Sequence, residues 1–239
     1  MRIVRLGLAL LLSGLVACTT TAPPIDGKVV PQNADTGMLG QLAKTDMDRL
    51  ADIEMNENTA SLRRLMLKLY KRNPREWKKS DAASAEERVS AIFDGRTDWR
   101  MAELNGEQEI AAIHQSFRPD YAGDRVLSLI VGLQTMLIKA HGGKSEFYLT
   151  DSIDPQSLYN VARNVEIAVW KLSNARDEQG QLLLLTNEIS ETDRNLSFER
   201  EFGKIVGRLD LMAATLAEKS SRKLVQAVQT MASALFLPF

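Results

Sequence analysis

Residues 124–140 read DRVLSLIVGLQTMLIKA. From 126 to 138 there is no charged side chain, and apolar residues fall on every side of a 3.6-residue period. Such a stretch is predicted as a helix buried on all faces by its neighbours, and it is too short to span a bilayer. Gly142-Gly143 then supplies a helix C-cap. A helix enclosed all round requires other amphipathic helices to enclose it, and the flanking sequence provides them. Downstream, Asp154-Pro155 opens a helix by cap and first-position proline, with Leu158, Val161, Ala162, Val165, Val169 and Leu172 as its buried stripe.

Further on, Phe198, Phe202, Ile205, Leu209, Met212 and Leu216 step by four and three residues, a heptad seam. Gly203, Gly207 and Ala214 lie on another face, where small side chains would admit a close neighbouring helix. The stepping resumes with its phase shifted after Ser220-Ser221, at Leu224, Val228, Met231 and Leu235. Each run is under three heptads, which favours a bundle within one chain over a coiled-coil oligomer.

Upstream, Thr45 and Asp48 form an acidic capping box for a helix bearing Met47, Leu50, Ile53, Leu62, Leu65, Met66 and Leu69. Its polar middle, residues 54–61, is a candidate break. Asn73-Pro74 reads as an N-cap and first helical residue, and Ser84 with Glu87 as a second capping box. Gly95 and Gly106 bracket a less regular segment containing Trp99, and a further helix carries Ile110, Ile113, His114 and Phe117. Residues 146–150 and 181–186 are short apolar runs that fit two paired strands, and the Leu182–Leu185 run fits a helix equally well. The predicted fold is all-α, a single-domain helical bundle over residues 45–239 with at most that hairpin. A composition of 44% hydrophobic and 26% charged residues, with 14 Gly and 7 Pro, fits an ordinary globular chain rather than a fibrous or disordered one.

The amino terminus reads as an address. Arg2 and Arg5 precede a short apolar core, residues 6–15, followed by Leu15-Val16-Ala17-Cys18, and Cys18 is the sole cysteine. This arrangement resembles the lipobox of bacterial lipoproteins over about the first 20 residues. The resemblance implies a signal peptide at 1–17, removed before Cys18, and acyl chains on the Cys18 thiol and amine. It further implies attachment to the membrane through lipid on Cys18. Thr19, where an Asp would favour inner-membrane retention, implies the periplasmic face of the outer membrane ahead of the inner membrane or the cell surface. Residues 18–44, rich in Thr, Pro and Gly, form a tether that can extend tens of ångströms at about 3.3 Å per residue.

Several chemistries are excluded or left without support. A net charge of -1 gives no electrostatic case for nucleic acid. His141-Gly142-Gly143-Lys144-Ser145 is not a nucleotide loop, because Ile138 stands where the phosphate-binding motif needs glycine and a helix precedes it. Two separated histidines supply no metal set, an acylated Cys18 is no nucleophile, and no catalytic residue or cofactor is assigned. The least ordinary polar group is Tyr159, Asn160, Arg163, Asn164 and Glu166 on one helix; it can grip a ligand or partner, or be a solvated or internally paired face. Asp193, Arg194, Glu199, Arg200, Glu201 and Lys204 read as a mixed-charge exposed face. Phe236, Leu237 and Phe239 form an apolar tail, folded onto the bundle or free to touch a partner or bilayer.

The functional expectation is a non-catalytic outer-membrane lipoprotein that presents a helical interaction domain, an adaptor or scaffold, to an envelope protein. The alternatives are a carrier for a lipid or other apolar ligand in a pliable methionine-containing pocket, and a hydrolase using two carboxylates.

Overall fold

The computed structural model describes residues 45–95, 98–144, 153–189 and 194–234, with side chains of the last helix described through Ser221. Cys18, the tether, residues 146–150, Asp193, Phe236, Leu237 and Phe239 lie outside the described residues. The described chain is all-α. It runs α1 (Asp46–Arg72), α2 (Pro74–Trp77), α3 (Ala85–Phe93), a 3₁₀ turn (Ala102–Leu104), α4 (Glu109–Ser116), α5 (Arg125–Ala140), α6 (Pro155–Asn174) and α7 (Ser197–Ala234).

At the centre lies α5, with Val126, Leu127, Leu129, Ile130, Val131, Leu133 and Leu137 all at 1% exposure or less. Around it pack α1, α4 and α6, while α7 packs against α1 and α6. The heptad seam is buried as expected through Phe198, Phe202, Ile205, Leu209 and Met212, with Leu216 half-buried against the same core. The helix is continuous through Ser220-Ser221, so the phase shift moves the apolar stripe to another face without breaking the backbone.

Local sequence sets the ends of these helices. Thr45 accepts from the Asp48 N–H while Asp48 accepts from the Thr45 N–H, which is the full reciprocal box. Ser84 accepts from Glu87 N–H, but the Glu87 carboxylate turns back to the Ala83 N–H instead of Ser84. Asp154 accepts from the N–H groups of Gln156 and Ser157. At the end of α5, Gly143 N–H bonds Ile138 C=O and Gly142 N–H bonds Lys139 C=O, both glycines at φ +77°. That pattern needs a left-handed residue, which glycine adopts without strain. Asn73 departs from expectation. Its side chain makes no capping bond to α2; its amide donates to Leu69 and Leu185 carbonyls and accepts from Leu185 N–H, stapling the 182–186 segment to α1.

One further expectation is revised. The polar middle of α1 does not break the helix, because Glu54, Asn58 and Ser61 point inward to partners on α5 and α7. His141 Nδ1 lies 2.8 Å from the Leu137 carbonyl, which can only accept, so that nitrogen carries the hydrogen. Its Nε2 lies 2.5 Å from Glu54 Oε2, and the other Glu54 oxygen accepts from Asn58. Arg208 of α7 completes the network through Asn58, Ser61 and Glu57. The small hairpin considered for 146–150 and 181–186 has its first half outside the described residues. Among the described residues, Leu182 makes a single bridge with Arg176, and a two-residue antiparallel ladder pairs β1 (Glu188–Ile189) with β2 (Arg194–Asn195).

A second buried polar cluster sits at the start of α5. Asp124 Oδ1 caps Leu127 N–H at 2.9 Å, and Tyr70 donates to Asp124 Oδ2 at 2.7 Å. Arg88 lies 3.7 Å from that oxygen, and Glu76 beside it accepts from Arg125 N–H. Burial pushes the Asp124 carboxyl up to about 6, although the Leu127 N–H, the Tyr70 hydroxyl and Arg88 oppose the rise. A folded value above the unfolded one means that the folded state holds the proton more tightly. The resulting stabilisation is fully present below pH about 4 and is lost as pH rises through about 6. Asp124→Asn keeps the cap and the tyrosine contact while removing the titration. On moving from pH 7.5 to 4.5, wild type should gain about 2 kcal/mol relative to the variant in urea unfolding. Parallel pH curves for the two proteins would contradict this assignment.

Candidate functional site: the groove between α6 and α7

Helices α6 and α7 run antiparallel: Pro155, Gln156 and Tyr159 border Ala213, Ala214 and Ala217, while Trp170 and Asn174 border Glu199, Phe202 and Gly203. Their inner faces meet in the core, and their outer faces diverge into a surface groove. Two recesses lie along it, of about 540 Å³ beside Trp170 and about 430 Å³ beside Tyr159. The α7 side consists of small residues. A Cβ placed on Gly203 or Gly207 would meet nothing within 4 Å, and Ala214 and Ala217 are exposed. The close neighbour expected over these glycines is therefore not α6 or any other described element. The face is open.

The α6 wall is built from large side chains. Trp170, 66% exposed, lines the groove, and Ile167, at 54%, stands one turn before it and outside that lining. Tyr159 is 47% exposed, and the Arg163 guanidinium lies 4.9 Å from its ring centroid. Arg163 Nη2 holds both oxygens of Asp210 on α7, at 2.9 and 2.7 Å, and approaches Glu166 at 3.4 Å. Its Nε is buried without an acceptor.

Of the five polar residues singled out on α6, Tyr159, Arg163 and Glu166 therefore line the groove. The other two do not join them: Asn160 accepts from Gln156, and Asn164 turns toward Met136 of α5. Internal pairing accounts for much of this set, and what it leaves open is a wall rather than a chelating cluster. Trp170 and Ile167 were not singled out from sequence. They fall off the buried stripe of α6, and two large apolar residues on an otherwise polar face were the available signal.

The other mixed-charge face also changes on inspection. Glu201 is 7% exposed and bonds both Arg64 and Lys204. Burial pushes its carboxyl up, but those two cations outweigh burial and hold it below the usual carboxylate range. It is a packing element between α1 and α7 rather than a surface charge.

A smaller apolar recess lies between α1 and α7, lined by Leu50, Ile53, Leu211 and Met212 with Glu54, Glu57 and Arg208 at its polar edge. Both acids there are engaged, Glu54 with His141 and Glu57 with Arg208. Among the described residues no cluster of three His, Cys, Asp or Glu side chains is arranged to hold a metal, and no helix is long and apolar enough to cross a membrane. No protein-family model matches the sequence, and no curated protein or solved structure shows detectable similarity to it.

Proposed function

We propose that this chain is a bacterial envelope lipoprotein, anchored by acylated Cys18 to the periplasmic face of the outer membrane, whose helical domain works by protein–protein contact. The observation that carries the second half is the α6–α7 groove, where an exposed tryptophan stands beside glycines whose faces meet no described atom. Large aromatic anchors beside small-residue surfaces are the usual material of interfaces. The first half rests on the lipobox and the tether. Two or more acyl chains give stable anchoring, at about 0.8 kcal/mol per buried methylene, where one chain is marginal.

No specific observation raises the other two readings. In the recess between α1 and α7, Glu54 is held by His141 and Glu57 by Arg208. The methionines of that region, such as Met55 and Met66, are packed in the core.

The test is a photo-crosslinking amino acid placed at Trp170, with Glu178 in an exposed turn as the control position. A discrete protein adduct at 170 and none at 178 is the expected result. No adduct at 170 in cells that express the protein stably would contradict the interaction reading. Membrane fractionation of Cys18→Ala tests the anchor separately, and a variant still found with the outer membrane would contradict it.

A further inference from the structure

Two aromatic rings of α6, Tyr159 and Trp170, stand about three turns apart on the groove, and each has carboxylates beside it. At Tyr159 the chain completes the set itself. The Arg163 guanidinium lies 4.9 Å from the ring centroid, reaches Asp210 at 2.7 Å and approaches Glu166 at 3.4 Å. At Trp170 the same chemistry recurs without a cation. Glu166, one turn before the indole, and Glu199, across from it on α7, line the recess of about 540 Å³. Among the described residues that line it, these two carboxylates are the only charged groups. Glu199 accepts from the Asn187 amide, and no cation among the described residues pairs with it or stands over the Trp170 ring.

Arg163 cannot serve both ends. Its Nη2 already spans the two Asp210 oxygens, at 2.9 and 2.7 Å, so Glu166 is met only at the longer distance. Along the whole groove three carboxylates, Glu166, Glu199 and Asp210, face one guanidinium. The surplus negative charge therefore sits at the Trp170 end.

We propose that the protein partner in this groove presents a basic side chain, arginine or lysine, to the Trp170 ring between Glu166 and Glu199, with apolar residues continuing toward Ala217. This rests on the interaction reading above and deepens it by stating the chemistry of the partner. A cation over an aromatic face is attracted by the ring quadrupole, most strongly at tryptophan, and flanking carboxylates add charge-assisted hydrogen bonds. An acidic segment would meet two carboxylates and no counter-charge, which discriminates against it. The apolar part of the occupant follows from the Tyr159 end. There Arg163 and Asp210 neutralise each other, while Ala214 and Ala217 offer only methyl groups. The two rings are about 16 Å apart along α6, a span that takes about eleven residues of helix or about five of extended chain.

The test uses the full chain in cells, with a photo-crosslinking amino acid at Ser173. That position is exposed in the same recess and leaves Trp170, Glu166 and Glu199 in place. The expected adduct is a single protein, cross-linked through a segment with arginine or lysine within about one helical turn of the attachment. Glu166→Gln with Glu199→Gln preserves side-chain size and the acceptor for Asn187, and should lower the adduct about tenfold. Glu166→Lys with Glu199→Lys should lower it about a hundredfold. Both glutamates are exposed, so protein level and thermal melt should not change, and the glutamine pair is decisive if the lysine pair disturbs either. A cross-linker at Ala217 should capture the same protein through an apolar stretch.

An adduct at Ser173 that survives both pairs of substitutions, or a captured segment with no basic residue, would overturn the proposal. This proposal and the broader reading fail separately. An adduct at 170 or 173 that is indifferent to charge removes only the basic side chain. No adduct at either position removes the interaction reading with it.

Discussion

Glu54→Leu should destabilise the folded domain by about 3–5 kcal/mol, the loss typical of a buried pair stripped of one partner. The leucine removes the carboxylate that faces both His141 Nε2 and the Asn58 amide in a buried network. Glu54→Gln should lose much less, because an amide can still accept from Asn58 and donate to the imidazole. Replacing both members, Glu54→Leu with His141→Met, should recover most of the loss, since the cost lies in orphaned polar groups rather than in missing attraction. Urea unfolding of the three variants measures all of this. A Glu54→Leu protein within about 1 kcal/mol of wild type would mean that the Glu54–His141 contact is not formed in solution.

The second large effect concerns Gly132, where α5 crosses α4. A Cβ there would lie 2.7 Å from the Glu109 carbonyl oxygen and 2.8 Å from the Ile113 nitrogen, both backbone atoms that cannot rotate away. The same crossing is fastened by Thr135, whose hydroxyl accepts from Glu109 N–H at 2.7 Å. Gly132→Ala should therefore cost about 3 kcal/mol through forced separation of the helices, despite alanine's better helix propensity of about 1 kcal/mol. Gly203→Ala makes the same chemical change on α7, where nothing lies within 4 Å, and should leave the monomeric fold equally stable or better. Equal thermal shifts for the two variants would contradict this picture of the crossing.

These two sites show where sequence reading succeeds and where it stops. Helix ends written within three or four residues, at Thr45–Asp48, Asp124 and Asp154-Pro155, were legible because cap and partner are neighbours in the chain. The seam of α7 and the enclosed α5 were legible because periodicity survives without tertiary information. The polar residues inside α1 were not. Glu54 reads as a solvated acid until His141, 87 positions away, is placed against it, and Asn58 until Arg208, 150 positions away, arrives. Glu201 was misread for the same reason, its partner Arg64 lying on a helix 137 positions earlier.

The groove was half visible. Tyr159, Arg163 and Glu166 were identified by their helical spacing, and Gly203 and Gly207 by their size, but each set was assigned separately. Only the antiparallel packing of α6 on α7 makes them one surface. The continuity of α7 through Ser220-Ser221 was likewise not legible, because a phase shift in the apolar stepping fits an unbroken helix as well as two.

The most direct measurement is photo-crosslinking in cells from position 170, read beside the control at Glu178 in its exposed turn. The interaction reading predicts a discrete protein adduct at 170 and none at 178. No adduct at 170 from a stably expressed protein, or equal adducts at both positions, would contradict it.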